Sequence, residues 1–388
     1  MKTFDAILPG QTLGMLGGGQ LGRFFVLAAR KLGYQVIVLD PDMHSPAGAL
    51  ADKHLCRNYD DPDALAELAE SCAAITTEFE NIDAASMAFL EDNIQSLPSS
   101  NAIRIAQDRI AEKTFLKKHG LPTVCFHVIE SIADIDTCPH DIFPAILKVS
   151  RFGYDGKGQI SVDDPSQLMD AVNQLANVPC VLEQKITLDT EISVIFANHP
   201  TSGFVHFPVA ENHHKNGILD MTIAPARISK TLESQAIQMT KDVAKALNYH
   251  GLGTVEMFVS NGQIFINEIA PRTHNSGHYT LNACDYSQFD LQLRTLCHLP
   301  IAQPKQLTNA VMVNLLGDIW TGEHYQTAPN WLTLMKEPAI HLSLYGKQIA
   351  RAGRKMGHFT VLADQLSDAL SIANQARCAL HIDPKPIR

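Results

Sequence analysis

The first hundred residues alternate short apolar runs with a stretch of helical periodicity. Residues 12–16 form an apolar run, residues 20–32 repeat apolar side chains at helical spacing, and QVIVLD (35–40) is again apolar. Short runs of this kind are typical of strands buried on both faces of a parallel sheet. AAITTEFE (73–80) ends like a further strand. The pattern therefore predicts an open α/β domain that ends near the Pro/Ser-rich SLPSSN (96–101).

A different pattern begins after Pro122. Apolar segments of strand length follow one another through short connections, which favours antiparallel pairing. These segments are FPAILKVS (143–150), QISVDD (159–164), VPCVLEQKI (178–186) and TEISVIFA (190–197), with helices predicted at about 166–177 and 231–248. From about residue 310 the chain shows short strands and turns, then a helix near 365–378. The predicted fold class is α/β followed by α+β.

Two glycine-rich turns are candidates for phosphate binding. GGGQLG (17–22) matches G-x-G-x-x-G between a strand and a helix, and Asp40 follows 18 residues after Gly22. These features suit a dinucleotide-binding turn, so a nicotinamide-dependent dehydrogenase competes with a simple packing role for the glycines.

The second turn, RFGYDGKGQ (151–159), lies between two predicted strands. A Walker A loop would continue with Ser or Thr and a helix, whereas Gly158 and a strand follow Lys157. Three glycines with a lysine still favour a hairpin whose amides and ammonium group contact phosphate. Lys148, at the end of the preceding strand, is a second candidate phosphate contact.

The segment GTVEMFVSNGQIFINEIAPR (253–272) predicts a hairpin that carries two glutamates. A two-residue Asn-Gly turn would pair Glu256 with Asn267 and leave Glu268 on the opposite face. A three-residue loop ending at Gly262 would instead put both glutamates on one face, about 7–8 Å apart on a diagonal. Two such carboxylates repel each other unless a cation lies between them, and Mg²⁺ with phosphate oxygens suits that arrangement. The alternative is a pair of solvent-facing glutamates.

A polar cluster follows this hairpin in INEIAPRTHNSGH (266–278). His274 and His278 form H-x-x-x-H, but Pro271 and Gly277 argue against a helix and no glutamate lies between the histidines. The sequence therefore excludes a zinc-protease helix.

Charge narrows the set of partners. The 388 residues carry a formal net charge of −10, so a broad surface for nucleic acid is not expected. Between Glu337 and Asp364 there is no acidic residue, yet the segment holds Lys347, Arg351, Arg354 and Lys355, a candidate anion site. The eight cysteines are scattered, and no apolar run is long enough for a membrane span or a leader, so the expected location is the cytoplasm.

Together, Lys148, GYDGKGQ, LEQKI, Glu256 and INEIAPRTHNSGH resemble the ATP-grasp enzymes. Within them the chain is similar to the N5-carboxyaminoimidazole ribonucleotide synthetase family, from MLGGGQLGR to GRKMGH. This resemblance implies an ATP-grasp fold with an N-terminal Rossmann-like (pre-ATP-grasp) domain at 1–105, an ATP-grasp domain at 106–310 with a lid at about 122–186, and a small β-rich C-terminal domain at 311–388. It also implies a homodimer, and a first glycine turn that serves the nucleotide substrate rather than a nicotinamide.

The resemblance further implies a reaction: ATP- and bicarbonate-dependent carboxylation of 5-aminoimidazole ribonucleotide in purine synthesis. ATP would be bound by Arg109, Lys148, the loop residues Gly153, Gly156, Gly158 and Gln159, the adenine neighbours Glu183, Gln184, Lys185 and Ile186, and by Glu191 and Asn267. Glu256 and Glu268 would hold Mg²⁺. The aminoimidazole ribonucleotide would contact Gln20, Leu21, Glu78 and Asn275, with its 5′-phosphate on Lys347, Arg354 and Lys355.

The catalytic roles are also hypotheses, made alongside the family resemblance. Arg272 would orient bicarbonate and carboxyphosphate, since its planar fork matches a carboxylate. His274 would accept the proton of the substrate amine, and Lys157, Tyr154 and Asp155 would bring the lid to the reacting atoms. Lys157 stands where many family members have arginine. The nearest alternative is a formate-dependent glycinamide ribonucleotide formyltransferase, which shares the architecture; a biotin-dependent carboxylase subunit would be longer.

Overall fold

The structure is a computed structural model, and it describes residues 5–153, 156–321 and 329–382. The N-terminal part is a five-stranded parallel sheet in the order β3-β2-β1-β4-β5. Its elements are β1 (Thr12–Leu16), α1 (Gln20–Lys31), β2 (Gln35–Leu39), β3 (Lys53–Leu55), α2 (Pro62–Ser71), β4 (Ala74–Thr77), α3 (Ala84–Asn93), β5 (Gln95–Leu97), α4 (Ser100–Ala106) and α5 (Arg109–Lys118). The predicted α/β domain is confirmed, because its apolar runs are the buried strands.

Short polar residues set where these helices begin. Asp61 accepts a hydrogen bond from the Ala64 amide ahead of α2, and Pro62 fits the first helical position. Asp108 accepts from Ile110 and Ala111 ahead of α5. Such caps satisfy amides that have no partner within the helix.

The predicted antiparallel strands after Pro122 build two sheets. A four-stranded sheet, ordered β6-β9-β7-β8, contains β6 (Phe126–Ile129), β7 (Ala145–Val149), β8 (Gln159–Val162), α6 (Leu168–Gln174) and β9 (Cys180–Gln184). The central part then runs through β10 (Thr190–His199), β11 (Gly203–His206), β12 (Ala210–Lys215), β13 (Ile218–Ala224), α7 (Lys230–Ala246), β14 (Gly251–Ser260), β15 (Gln263–Ala270), α8 (Thr280–Ala283) and α9 (Gln288–Leu296). The helices expected near 166–177 and 231–248 are thus confirmed as α6 and α7.

The C-terminal part extends the central sheet. It comprises β16 (Asn309–Leu316), α10 (Asp318–Thr321), α11 (Trp331–Met335), β17 (Ile340–Leu344), β18 (Lys355–Ala363) and α12 (Leu366–Ala379). Strand β16 pairs with β13, so one nine-stranded sheet runs β15-β14-β10-β12-β13-β16-β18-β17, with β11 beside β10. The predicted boundary at residue 310 therefore falls inside a hydrogen-bonded sheet.

Buried side chains join the three parts. Leu293 and Leu296 of α9 pack into the core of the parallel sheet, and Gln292 donates to Thr76 Oγ1 at 3.2 Å. Aromatic rings form a second contact between the parts. The ring centroids of Phe24 and Phe289 lie 5.1 Å apart, and those of His278 and His358 lie 4.7 Å apart. No described helix is long and apolar enough to cross a membrane.

Candidate active site

The three parts of the chain meet around one cleft with a volume of about 590 Å³. Its walls come from the turn after β1, the end of β4, the loop between β7 and β8, the β14–β15 hairpin and the start of β18. The predicted site residues that line it are Gln20, Leu21, Glu78, Arg109, Lys148, Gly153, Gly156, Lys157, Gln159, Glu191, Glu256, Asn267, Glu268, Arg272, His274, Asn275 and Lys355.

Other predicted residues lie elsewhere. Among the described residues, the cleft lining does not include Gly158, Glu183, Gln184, Lys185, Ile186, Lys347 or Arg354. Two of the predicted adenine neighbours use their amides within the protein: those of Gln184 and Lys185 donate to the carbonyls of Cys125 (2.9 Å) and Pro144 (2.8 Å). The predictions for Tyr154 and Asp155 fall outside the described residues.

The two glutamates of the hairpin directly face each other. The turn is the two-residue Asn261-Gly262 type, with both residues at positive φ (49° and 71°), so the three-residue alternative is wrong. The pairing nevertheless shifts between Met257 and Glu256, and this bulge brings Glu268 opposite Glu256. Both carboxylates therefore lie on the cleft side of the sheet.

These carboxylates fit a small divalent cation. Asn267 Oδ1, between them in sequence, is buried without a hydrogen-bond partner. No group of three or more His, Cys, Asp or Glu side chains among the described residues is suited to a metal. Two carboxylates with few other protein ligands suit Mg²⁺, which keeps water or phosphate oxygens in its shell, and do not suit a closed zinc site. Burial raises the pKa of Glu256, but His274, His214 and Arg272 together outweigh it and lower that pKa to about 2.

Two cations of the cleft, Lys148 and Arg109, have acidic partners. Lys148 Nζ donates to Glu183 Oε2 at 2.8 Å, and Arg109 lies 3.4 Å from Glu268 Oε2 and donates to the Gly153 carbonyl at 3.3 Å. Burial raises the pKa of Glu183, but Lys148 and Lys113 outweigh it, so the net shift is downward. These side chains connect the glycine loop with the carboxylate pair.

His274 is held at both ring nitrogens. Nε2 lies 2.7 Å from Glu256 Oε1, while Nδ1 accepts the amide of Ser276 at 3.3 Å and lies 2.8 Å from its hydroxyl. Because Nδ1 accepts an N–H, we assign the ring proton to Nε2, facing the carboxylate. The Ser276 hydroxyl continues inward to Ser193 at 2.8 Å. Both nitrogens are thus engaged, which the sequence did not predict.

Arg272 also has a partner that sequence reasoning missed. Its Nε donates to Glu80, and one terminal nitrogen donates to the Thr273 carbonyl at 3.0 Å. Burial lowers the pKa of Arg272, but the Glu80 charge outweighs it and raises that pKa. The second carboxylate of TTEFE, directly after a strand end, was the available signal. A second missed residue is His214, whose Nδ1 lies 2.9 Å from Glu191 Oε2.

The first glycine turn does not present its amides to a dinucleotide. Glu78 accepts hydrogen bonds from the amides of Gly19 and Gly22 (2.7 Å) at the start of α1, where a pyrophosphate would bind. A Cβ atom on Gly19 would lie 2.5 Å from the Glu78 carboxylate. Asp40, the candidate ribose ligand, instead accepts the Gly18 amide at 2.6 Å and the Tyr59 hydroxyl at 2.7 Å.

The basic segment closes the cleft from the C-terminal side. Lys347 Nζ donates to Gln20 Oε1 at 2.6 Å and to the Lys355 carbonyl at 2.8 Å. Arg354 donates to the Ile349 carbonyl at 2.7 Å. Lys347 therefore supports the lining residues Gln20 and Lys355.

The cleft therefore combines two facing carboxylates, a glycine loop and several cations. This combination is compatible with a nucleotide-dependent ligase of the ATP-grasp class. Family models agree: the ATP-grasp domain matches residues 114–289, the ribonucleotide synthetase preATP-grasp domain matches 10–107, and the phosphoribosylaminoimidazole carboxylase C-terminal domain matches 310–371.

Comparisons with individual proteins are more specific. The chain is 37% identical over 358 residues to the N5-carboxyaminoimidazole ribonucleotide synthase of Bacillus subtilis, covering 92% of each chain. It is similar to a solved ADP complex of N5-carboxyaminoimidazole ribonucleotide synthetase (TM-score 0.91, 38% identity, 98% of each chain). It is also similar to the Aspergillus clavatus enzyme in complex with ADP and 5-aminoimidazole ribonucleotide (TM-score 0.86, 30% identity, 96% of this chain and 98% of that one). The chain belongs to the N5-carboxyaminoimidazole ribonucleotide synthase family, and it has the ATP-grasp fold.

Proposed function

We propose that the chain carboxylates 5-aminoimidazole ribonucleotide with ATP and bicarbonate, giving N5-carboxyaminoimidazole ribonucleotide, ADP and phosphate. One observation carries the proposal: a single cleft brings the Glu256–Glu268 pair together with Gln20, Glu78 and Lys355. This arrangement supports a site for a metal-bound nucleotide next to a site for a second, anionic substrate. The similar enzyme with ADP and 5-aminoimidazole ribonucleotide supports the same assignment.

Mg²⁺ would be held by Glu256 and Glu268, with Asn267 Oδ1 beside them. When bound, it supplies positive charge to the transferring phosphoryl group. Lys148 and the amides of the glycine loop would hold the phosphates, and Arg109 would bridge this loop to the carboxylate pair. Bicarbonate is a weak nucleophile, so most of the acceleration must come from placing its oxygen in line with the γ-phosphorus.

Arg272 would hold bicarbonate, and then carboxyphosphate, through its guanidinium. The salt bridge to Glu80 fixes the direction of that group before substrate enters. The substrate amine then attacks the carboxyl carbon, phosphate leaves with the electron pair, and the amine loses a proton. Closure of the glycine loop with Lys157 would exclude water, which otherwise hydrolyses carboxyphosphate.

His274 remains our proposed acceptor for the amine proton, with one condition from the geometry. With its proton on Nε2, the neutral imidazole can accept the amine proton only at Nδ1, which Ser276 occupies, or at Nε2 once the ring proton has shifted to Nδ1. Replacing His274 by Ala would then lower carboxylation and leave ATP binding intact, whereas normal turnover would remove the base assignment.

The direct experiment measures phosphate release from ATP and Mg²⁺ with 5-aminoimidazole ribonucleotide, with and without bicarbonate. We expect release to require both the ribonucleotide and bicarbonate. Glycinamide ribonucleotide with formate is the parallel control, and release only in that arm would reassign the chain to formyl transfer while leaving the fold unchanged.

We further propose a homodimer in the cytoplasm, where the nucleotide substrates are made, with domain limits at 105/106 and 310/311. Family resemblance supports the dimer. Light scattering tests the assembly. The two limits fall within α4 and β16, so limited proteolysis of the folded chain should leave both bonds intact.

A further inference from the structure

The bulge in the β14–β15 hairpin determines where Glu268 points. From Ser260–Gln263 to Met257–Ile266 the strands pair in the register set by the two-residue turn. If that register continued by one residue, Glu256 would pair with Asn267. Glu268 would then lie on the other face of the sheet, because successive side chains of a strand point to opposite faces. Only the extra residue at the bulge places the two carboxylates together.

A bulge leaves backbone groups out of the strand ladder, and here α5 supplies their partners. Lys113 Nζ donates to the carbonyl of Asn267 at 2.8 Å and lies 3.5 Å from that of Ile266. Glu112 Oε1 accepts the amide of Ile269 at 2.6 Å. Two consecutive helix residues therefore hold the backbone on both sides of Glu268.

Both side chains are buried at a cost. Glu112 is 1% exposed and Lys113 is 0% exposed. Burial raises the pKa of Glu112 and lowers that of Lys113, so each charge is disfavoured where it lies. Burying this pair of ionisable groups costs free energy unless each is hydrogen-bonded. Its contacts with the bulge give it a different role.

We propose that Glu112 and Lys113 are positioning residues that hold the bulge at Asn267 and thereby keep Glu268 opposite Glu256. The proposal rests on the proposed Mg²⁺ role of those two glutamates. Neither positioning residue needs to contact the metal ion, because each acts on the backbone that carries Glu268.

The test uses Glu112, because Lys113 also lies 3.6 Å from Glu183, the partner of Lys148. Glu112→Met removes the acceptor for the Ile269 amide, whereas Glu112→Gln keeps an acceptor oxygen and is the matched control. ADP affinity is measured by calorimetry in EDTA and again in Mg²⁺. We expect Glu112→Met to lower the Mg²⁺-dependent gain in ADP affinity by about tenfold, a size typical of groups that orient metal ligands. Affinity in EDTA should change little, and Glu112→Gln should keep the gain.

Hydrogen exchange provides a readout without metal or activity. The amide of Ile269 should exchange faster in Glu112→Met than in the wild-type chain or in Glu112→Gln, because only the Met variant lacks its acceptor. If Glu112→Met does not fold, Glu112→Asp takes its place, since the shorter side chain withdraws the oxygen but keeps a carboxyl group. Unchanged exchange and an unchanged Mg²⁺-dependent gain in a folded Met or Asp variant would overturn the proposal.

Glu268→Gln separates this proposal from the metal assignment itself. If Glu268→Gln loses the Mg²⁺-dependent gain and the Glu112 variants keep it, the positioning role is wrong and the metal role stands. If Glu268→Gln keeps the gain, the metal role is wrong. In a Glu112→Met background, Glu268→Gln should add little further loss, because both changes remove the same carboxylate from the site.

Discussion

Arg272 and Glu80 form a salt bridge between the central part of the chain and the N-terminal part. Arg272 follows β15, and Glu80 follows β4. Both side chains line the same cleft. The pair therefore connects the proposed bicarbonate contact to the sheet that carries Gln20 and Glu78.

Glu80→Gln should lower kcat/KM for bicarbonate by about tenfold or more, because a misplaced substrate costs this much or more in rate. The amide keeps one acceptor oxygen but no charge to hold the guanidinium. KM for ATP should change little. Phosphate-release assays at varied bicarbonate measure the effect, with the exposed Glu70→Gln as the control. Equal losses for ATP and bicarbonate would contradict an orienting role.

Glu78→Ala should lower the free energy of unfolding by about 1–2 kcal/mol, because two amides at the start of α1 lose their acceptor. Urea unfolding measures this change.

The amides of Gly19 and Gly22, which Glu78 occupies, predict that NADH fluorescence does not respond to the wild-type chain. Nicotinamide binding at micromolar concentrations would show that Glu78 leaves this position.

Lys347→Met should raise KM for 5-aminoimidazole ribonucleotide by about tenfold, the typical effect of one hydrogen bond to a charged group. The ammonium group holds Gln20 and the Lys355 carbonyl, so its loss affects the lining even without direct contact. Steady-state assays compare it with Lys336→Met, an exposed cation in the same part of the chain. A matching rise in KM for ATP would indicate general damage rather than loss of this wall.

Removal of metal should abolish phosphate release, and added Mg²⁺ should restore it. The expectation follows from the two facing carboxylates and the unpartnered oxygen of Asn267. Titration of chelator-treated protein with Mg²⁺ gives the concentration for half-maximal release, which Glu256→Gln and Glu268→Gln should each raise. Full activity in excess chelator would exclude the proposed cation.

The stability of the fold should depend on pH through Glu211, which is not one of the residues that line the cleft. Burial raises its pKa, but hydrogen bonds from His213 and Arg227 outweigh this and lower the pKa from 4.5 to about 2. Because the folded-state pKa is the lower one, the stabilisation is complete above pH 4.5 and is lost as pH falls toward 2. Its size is on the order of 3 kcal/mol.

Urea unfolding from pH 7 to pH 3.5 compares the wild-type chain with Arg227→Met. The difference in unfolding free energy should be constant above pH 5 and should shrink below pH 4.5. A difference that grows on acidification would have the wrong sign.

The sequence was sufficient for elements whose pattern is local. The parallel strands, α6, α7 and α12 follow from apolar spacing. The sequence left the turn at Asn261-Gly262 open between two and three residues, and only the structure settles it, with both residues at positive φ. The pairing of Glu256 with Glu268 could not be predicted from the local sequence. We infer that it depends on Glu112 and Lys113, which bind backbone groups of the bulge more than 150 residues later in the chain. Turn chemistry alone puts these glutamates on opposite faces.

The chemical type of the candidate site residues made them predictable from the sequence. The residues that they contact in the folded chain were not predictable in this way. The sequence contains Arg272, His274 and Lys148 as obvious polar residues, yet Glu80, Ser276 and Glu183 determine what each can do. Such partnerships join segments far apart in the chain. Only the packing of three sheets brings them together.

The continuous nine-stranded sheet also bears on how the chain is made. Strand β13 has β12 on one side and β16 on the other, and β16 begins only at Asn309. Until the ribosome has added β16, β13 has an open edge able to pair with another nascent chain. The wall that carries Lys355 is absent at that stage as well. Completion of the cleft thus waits for synthesis of β16 and β18, and the edge of β13 stays exposed to other chains until then.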